Sequence, residues 1–282
     1  MRILLANVPA VEEDSDGGQF VKTVLVPLWR KNLDLVRQKE TELTFRFPKR
    51  GTTVDAFSDC RYLHDLNLES LFQAAVQAEG EGFDAVVMTC FSDYMLWEIR
   101  QAVNIPVVSI GESSMLAATM MGYKFGVVTI SPDTVQEQEQ TIAKYGFKAR
   151  SVSVRPIPET GGEQEMALTD ARHTIKAFKK VTRELIADGA EVIIPGCGLM
   201  SPALRLAPGA EKEYPNGLTE VDKVPVLDVI VVTLKMAEML VTLKRAGSGW
   251  ISRKGLYAQA TPRAKEFDQM VLKDKEPGFW DC

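Results

Sequence analysis

The sequence contains few histidines and no closely spaced pair of cysteines. Its 282 residues include only two histidines, His64 and His173, so any acid and base chemistry must depend mainly on other side chains. The four cysteines are far apart in sequence, at positions 60, 90, 197 and 282. This spacing excludes the common zinc motifs and argues against a disulfide framework, and no metal site is expected.

The sequence also lacks an excess of positive charge and a long uncharged apolar run. Lys and Arg number 33 against 38 Asp and Glu, so the formal net charge is −5, which disfavours nucleic acid and anionic lipid as partners. The most apolar stretch, 224–241, contains Asp228, Lys235 and Glu238, which a bilayer span would bury in hydrocarbon. No export signal is visible at the N-terminus. We therefore expect a soluble, cytoplasmic protein.

Short β-branched runs alternate with longer helical stretches along the chain. The runs Ala85-Val-Val-Met88 and Val192-Ile-Ile-Pro195 are apolar at every position, which is typical of strands covered by helices on both faces. Alternation of this kind indicates parallel sheets built from βαβ units. The predicted fold class is α/β, with doubly wound parallel sheets.

An internal repeat predicts two related domains. Gly82 to Cys90 and Gly189 to Cys197 each place a glycine, an acidic residue two positions later, an apolar strand and then a cysteine. A strand beginning with proline follows in both halves, at Pro106 and Pro225. We expect pseudo-symmetric domains formed by residues 1–112 with 226–282 and by residues 113–225, with the active site in the cleft between them.

The positions of Cys90 and Cys197 favour a function over simple packing. Each follows a strand and precedes a predicted helix, for which Ser92 or Asp93 and Ser201 are the expected N-caps. A helix N-terminus stabilises a thiolate, so we expect lowered thiol pKa values. Ligands bind at this end of parallel strands. Cys60 and Cys282 lack this context.

Two thiols on opposite sides of one cleft suit proton transfer at carbon. One would remove a proton from a carbon acid while the other delivers a proton to the opposite face. Backbone N–H groups after each cysteine could stabilise the enolate oxygen, and Gly198 would allow close approach of the backbone.

At these residues the sequence resembles the aspartate/glutamate/hydantoin racemase superfamily, and within it the hydantoin and allantoin racemase branch. The motifs TCFSDYMLWEIR at Cys90, PVVSIGESSMLAA at Gly111, FGVVTI ending at Ile130 and GAEVIIPGCGLMS at Cys197 are similar to those of the branch. The C-terminal segment Ile251 to Tyr257 also looks similar. The resemblance spans most of the chain.

The resemblance implies which residues face the substrate. Cys90 and Cys197 are the expected catalytic pair, and the other expected site residues are Asn7, Ser92, Asp93, Glu112, Ser113, Thr129, Gly198 and Leu199. Glu112 is either a first-turn helix acid or a cleft carboxylate. At the N-terminus only Asn7 matches the branch's Asn-Pro-Asn-Thr, and the segment from Val24 to Thr52, which includes Trp29, is longer and more basic than is usual.

The expected activity is racemisation or epimerisation of a hydantoin-like or amino-acid-like small molecule, without a cofactor. A second hypothesis keeps the site but has it catalyse a lyase, decarboxylase, isomerase or substituent-removing reaction, such as desulfurisation of a hydantoin-like ring. A third is a two-lobed binding protein with inert cysteines. A small molecule is the expected partner, with no nucleic acid and no membrane, and we expect copies of the chain to form a homo-oligomer.

Overall fold

The computed structural model describes residues 1–8, 10–49, 61–157, 167–259 and 278–282, and for residues 61–67 it describes the backbone only. Cys60 and the end of the segment from Val24 to Thr52 lie outside the described residues. The strands are β1 (Arg2–Ala6), β2 (Glu42–Pro48), β3 (Ala85–Met88), β4 (Val107–Ser109), β5 (Phe125–Thr129), β6 (Ser151–Pro156), β7 (Val192–Pro195), β8 (Glu220–Val221), β9 (Val224–Pro225) and β10 (Phe279–Asp281).

The helices follow most of the strands in the order that the alternation predicts. They are α1 (Asp16–Phe20), a π-helical turn (Val21–Leu25), α2 (Val26–Asp34), α3 (Arg61–Gly80), α4 (Leu96–Ala102), α5 (Ile110–Met121), α6 (Val135–Lys144), α7 (Arg172–Ala187), α8 (Met200–Leu206) and α9 (Val229–Arg245), with 3-10 turns at Pro132–Thr134 and Gly255–Tyr257. In the described part of the chain, no helix is both long and apolar enough to cross a membrane.

Two sheets with corresponding strand orders form the framework. The first has the order β10-β2-β1-β3-β4 and is parallel except for β10, while the second has the order β6-β5-β7 and is parallel throughout. A parallel bridge between Ile193 and Val226 occupies the place next to β7 that β4 occupies next to β3. The predicted α/β class with parallel sheets is confirmed, and the two orders match as the repeat indicates.

Helices α5 and α9 connect the two sheets. They pack against each other, α5 contacts strands β4, β5 and β7, and α9 contacts β3 and β4. One cluster of buried side chains runs through both sheets and both helices, and includes Leu5, Val87, Met115, Val127, Ile194 and Leu234. The strands of the first sheet come from residues 2–109 and 279–281 and those of the second from residues 125–195. The boundaries at 112/113 and 225/226 stay predictions.

The predicted strand Pro225-Val-Leu-Asp-Val229 differs from the structure. Val224–Pro225 forms a short antiparallel pair with Glu220–Val221, and only Val226 bridges to the second sheet. Pro225 has no N–H to donate to a strand ladder. Asp228 is already the N-cap of α9, since its side chain accepts the N–H of Val231 at 3.2 Å. The chain therefore leaves the extended conformation too early for a full strand.

The predicted N-caps beside the cysteines are also wrong. Helix α4 begins at Leu96 after Met95, whose φ of 56° is left-handed, and no side chain caps it. Ser201 lies inside α8 rather than before it. Ser131 caps the 3-10 turn that follows it, because its hydroxyl accepts the N–H of Asp133.

Candidate active site

Cys90 and Cys197 occupy equivalent places in the two sheets. Each lies two residues beyond the carboxyl end of a buried strand, after Met88 of β3 and after Pro195 of β7. Both are free thiols with partly exposed side chains. We call residues 89–95 the Cys90 loop and residues 196–199 the Cys197 loop. The equivalence follows from the matching strand orders, so the sequence repeat placed both cysteines correctly at strand ends.

The two loops are in direct contact at Gly198. A Cβ atom on Gly198 would lie 2.5 Å from the carbonyl oxygen of Thr89, closer than real Cβ contacts allow. Thr89 immediately precedes Cys90, and Gly198 immediately follows Cys197. The absence of a side chain at Gly198 therefore brings the two cysteine loops together. That the sulfur atoms face each other across a ligand-sized gap stays a prediction.

The thiol pKa values differ from the sequence-based expectation. Burial raises the pKa of the Cys90 thiol, and the carboxylates of Glu137 and Asp93 raise it further, although the backbone N–H of Ser92 stabilises the thiolate. Burial also raises the pKa of the Cys197 thiol, against the backbone N–H groups of Leu199 and Met200. Lowered values were predicted from helix N-termini. In the structure, removal from water outweighs the few N–H groups that reach each sulfur.

Asp93 organises the Cys90 loop from a fully buried position. It has a left-handed φ of 52°, and its carboxylate accepts the N–H groups of Gly111 at 2.9 Å and Glu112 at 2.6 Å, together with the hydroxyl of Ser109. Burial raises its pKa to about 6. The carboxylate thus caps the start of α5 at Ile110 from a distant loop. With no exposed surface, Asp93 positions the backbone and does not contact solvent.

The second half also contains a serine–aspartate hydrogen bond, but the serine and the aspartate have exchanged places. Ser201, just after the Cys197 loop, donates its hydroxyl at 2.6 Å to Asp228, which precedes α9. In the first half, the acid Asp93 lies in the cysteine loop and the serine Ser109 precedes the helix. One serine–aspartate hydrogen bond therefore connects the Cys90 loop to the start of α5, and another connects α8, just after the Cys197 loop, to the start of α9.

Asn7 and Thr129 end the central strands of the two sheets. The Asn7 amide donates to the carbonyl of Arg46 at 3.3 Å and accepts the Thr89 hydroxyl at 2.7 Å, next to Cys90. The hydroxyl of Thr129 accepts a hydrogen bond from Gln138, which also donates to the carbonyl of Gly196, both at 2.8 Å. Both predicted residues are buried and lie beside a cysteine loop.

The other predicted residues differ in their surroundings. Ser92 and Leu199 are partly exposed within the two cysteine loops, and Ser113 is buried in the first turn of α5. Glu112 forms an ion pair with Arg100 at 2.5 Å, and Arg100 also donates to the hydroxyl of Tyr257. This pairing favours the helix-acid interpretation of Glu112 and places its carboxylate away from the thiols' hydrogen bonds.

Several residues near the cysteines were not identified from the sequence. Tyr94 and Glu137 interact with each other, and burial, Cys90 and Glu137 all raise the pKa of the Tyr94 hydroxyl. Gln138 and Trp29 reach the Cys197 loop through hydrogen bonds to Gly196 and Gly198. No local motif marks Trp29, Glu137 and Gln138, because each comes from a helix distant in sequence, whereas Tyr94 lies within the Cys90 loop itself. Within the described ranges, no group of three or more His, Cys, Asp or Glu residues could hold a metal ion.

Comparison with known proteins agrees with this fold and site. The model of the Asp/Glu/Hydantoin racemase family matches residues 52–237. The parallel α/β fold with cysteines at paired strand ends thus defines an isomerase of the racemase type. The chain belongs to the Asp/Glu/hydantoin racemase family.

Individual relatives support the hydantoin and allantoin branch. The chain is 28% identical to a hydantoin racemase of Pseudomonas sp. (strain NS671) over 217 residues, which are 75% of this chain and 78% of that protein. It is 30% identical to a hydantoin racemase of Rhizobium meliloti over 191 residues, 67% of this chain and 70% of that one. The structure matches allantoin racemase from Pseudomonas fluorescens with a TM-score of 0.69 and 26% identity, covering 93% of this chain and 98% of that chain. The resemblance noted in the motifs is confirmed.

Proposed function

We propose that this enzyme racemises a hydantoin-like ring, with Cys90 and Cys197 as the acid and base on opposite faces of the substrate. The observation that carries the proposal is the contact between the two cysteine loops at Gly198 and Thr89, because it brings two equivalent strand ends to one place. Relatives that act on hydantoins and allantoin support the substrate class. The proposed reaction needs no cofactor, and we keep the expectations of a cytoplasmic location and a homo-oligomer.

The surroundings of the two sulfurs suggest which one starts as the base. Cys197 accepts two backbone N–H groups, whereas Cys90 accepts one and faces the carboxylates of Glu137 and Asp93. Hydrogen-bond donors stabilise a thiolate, and nearby negative charge opposes it. We therefore propose that Cys197 loses its proton before Cys90, so that Cys197 acts as the base and Cys90 as the acid.

The proposed reaction conserves protons over a full turnover. The Cys197 thiolate removes the hydrogen from the stereogenic carbon, and the electron pair of that C–H bond moves toward the adjacent carbonyl oxygen. Cys90 then donates its proton to the opposite face of the carbon. This leaves a Cys90 thiolate and a Cys197 thiol, which is the state required to act on the other enantiomer.

The charges of the site residues favour a neutral ring over a free amino acid as the substrate. None of the expected site residues is Lys or Arg, and Asp93 and Glu137 are acidic neighbours of Cys90. A free amino acid would bring a carboxylate that such a site does not pair, and an unpaired charge is costly to bury. A hydantoin ring offers neutral N–H and carbonyl groups instead.

The test is hydrogen exchange in deuterium oxide. One enantiomer of a 5-substituted hydantoin, of allantoin and of aspartate would each be incubated with the enzyme and followed by polarimetry and mass spectrometry. We expect loss of optical rotation and gain of one deuterium by a ring substrate, at a rate well above that of the double variant Cys90→Ser/Cys197→Ser, which controls for spontaneous exchange. Net conversion to a product of different mass, or exchange with aspartate alone, would contradict the proposal.

A further inference from the structure

Helix α2 reaches the Cys197 loop from a part of the chain that precedes the residues matched by the family model. Trp29, in the middle of α2, is 2% exposed, and its indole N–H donates to the carbonyl oxygen of Gly198 at 3.2 Å. The indole stacks on Phe45 of β2 with ring centroids 5.7 Å apart and planes 12° apart. The hydrogen bond therefore comes from a side chain whose orientation is fixed by packing.

The hydrogen bond acts on the same peptide group that reaches the Cys197 sulfur. The carbonyl of Gly198 and the N–H of Leu199 belong to one planar peptide unit, in which the two groups point in opposite directions. The N–H of Leu199 is one of the two that stabilise the Cys197 thiolate. Holding the carbonyl oxygen toward Trp29 thus aims the N–H at the sulfur. A hydrogen bond accepted by the carbonyl also polarises the N–H of the same unit.

A second contact connects α2 to Asp228, the N-cap of α9. Asn32, one helical turn after Trp29, is fully buried and donates to Asp228 at 2.9 Å. Asp228 in turn accepts the hydroxyl of Ser201 at the start of α8. Helix α2 therefore contacts the Cys197 loop through Trp29 and is linked to Ser201 of α8 through Asp228.

We propose that Trp29 is a positioning residue for Cys197, which sets the orientation of the Gly198–Leu199 peptide through its indole N–H. The proposal rests on the functional importance of Cys197 in the proposed function, but its test does not need substrate. It assigns a role to the segment from Val24 to Thr52 that the family motifs do not account for.

The test compares Trp29→Phe with Trp280→Phe. Both changes remove one indole N–H and keep an aromatic ring that can stack. Trp280 is the matched control, because it stacks on Phe47 with ring centroids 4.9 Å apart and donates its indole N–H to the carbonyl of Val11 at 2.9 Å, away from the cysteine loops. Each protein would be alkylated with iodoacetamide across a range of pH, and the Cys90 and Cys197 peptides would be quantified separately by mass spectrometry. Urea unfolding would establish that each variant is folded.

We expect Trp29→Phe to lower the alkylation rate of Cys197 at a given pH by about threefold or more, because one hydrogen bond to the thiolate is weakened. Cys90 in the same protein, and both cysteines in Trp280→Phe, should keep the wild-type profile. If Trp29→Phe leaves the Cys197 profile unchanged or shifts both cysteines equally, the proposal is wrong. A Trp29→Phe chain that does not fold would also overturn it, since the N–H would then serve global stability. Racemase activity enters none of these readouts, so failure of the proposed function is detected separately.

Discussion

Cys90 and Cys197 lie at matching strand ends but have different electrostatic surroundings. Cys90 faces two carboxylates and one N–H group, while Cys197 faces two N–H groups. Burial raises the pKa of both thiols, so both are protonated in the free enzyme at neutral pH more fully than an exposed cysteine would be. Slow alkylation at neutral pH therefore does not by itself distinguish catalytic from inert thiols. The order in which the two react as pH rises is informative instead.

The pH dependence of alkylation tests this difference between the two residues. A thiolate forms only as pH approaches the raised pKa, so the rates of both cysteines should be low at neutral pH and rise through the alkaline range. We expect Cys197 to react at lower pH than Cys90. Peptide mass spectrometry after short exposure to iodoacetamide would measure both in one sample. Earlier reaction of Cys90, or reaction of either faster than free cysteine at neutral pH, would contradict the assignment.

The titration of Asp93 should make the free energy of unfolding depend on pH. Its folded-state pKa is raised to about 6 from 3.8, so the folded state holds this proton more tightly than the unfolded chain. The resulting contribution to stability is fully present below the unfolded pKa and is lost as pH rises through the folded value.

The variant Asp93→Asn removes this titration and also turns an amide N–H toward backbone N–H donors. We expect it to reduce the free energy of unfolding by roughly 1–3 kcal/mol and to abolish the loss of stability between about pH 4 and 6. Urea midpoints at several pH values would measure both effects, with Asp133→Asn, an exposed carboxylate, as the control. A variant with wild-type stability and wild-type pH dependence would show that Asp93 does not hold the loop.

At the scale of elements, the sequence predicts strands better than it predicts where helices begin. Strands β3 and β7 are fully buried and contain only apolar residues and proline, so their pattern is visible in the sequence alone. The N-caps expected for α4 are wrong, because no side chain caps that helix. The start of α5 has no local signal, because the group that satisfies its first turn lies elsewhere in the sequence. Asp93 caps α5 from a loop that is 18 residues from Gly111 in sequence. Capping of that kind leaves no motif at the helix itself.

Contact between the two cysteine loops depends on Gly198. The variant Gly198→Ala would place a methyl group 2.5 Å from the Thr89 carbonyl, so one loop must move by a substantial fraction of an ångström. We expect racemase turnover to fall by about 100-fold, because a misplacement of this size disturbs a proton transfer between fixed groups. The control is Gly80→Ala at the end of α3, where an added Cβ meets nothing within 4 Å. Full activity of Gly198→Ala, measured by polarimetry in a folded protein, would be incompatible with the proposed contact.

At the scale of the whole molecule, the internal repeat predicted two related parallel sheets. The repeated glycine, strand and cysteine led to two parallel sheets with corresponding orders, and Pro106 and Pro225 precede equivalent positions. The repeat did not predict how the two halves differ. The exchange of serine and aspartate between Ser109–Asp93 and Ser201–Asp228 involves single residues on different elements. Such long-range pairs become visible only in three dimensions.

The most direct measurement of the central claim uses Cys90→Ser and Cys197→Ser separately in deuterium oxide. A serine hydroxyl is a far weaker acid than a thiol, so each change should reduce racemisation by orders of magnitude in a folded protein. Because the two thiols serve opposite faces, each variant should still exchange the hydrogen of the one enantiomer that presents it to the remaining cysteine. The account predicts that the two variants label different enantiomers of the same hydantoin. Labelling of the same enantiomer by both variants, or full racemase activity in either, would contradict it, and a covalent adduct detected by mass would indicate a nucleophilic cysteine instead.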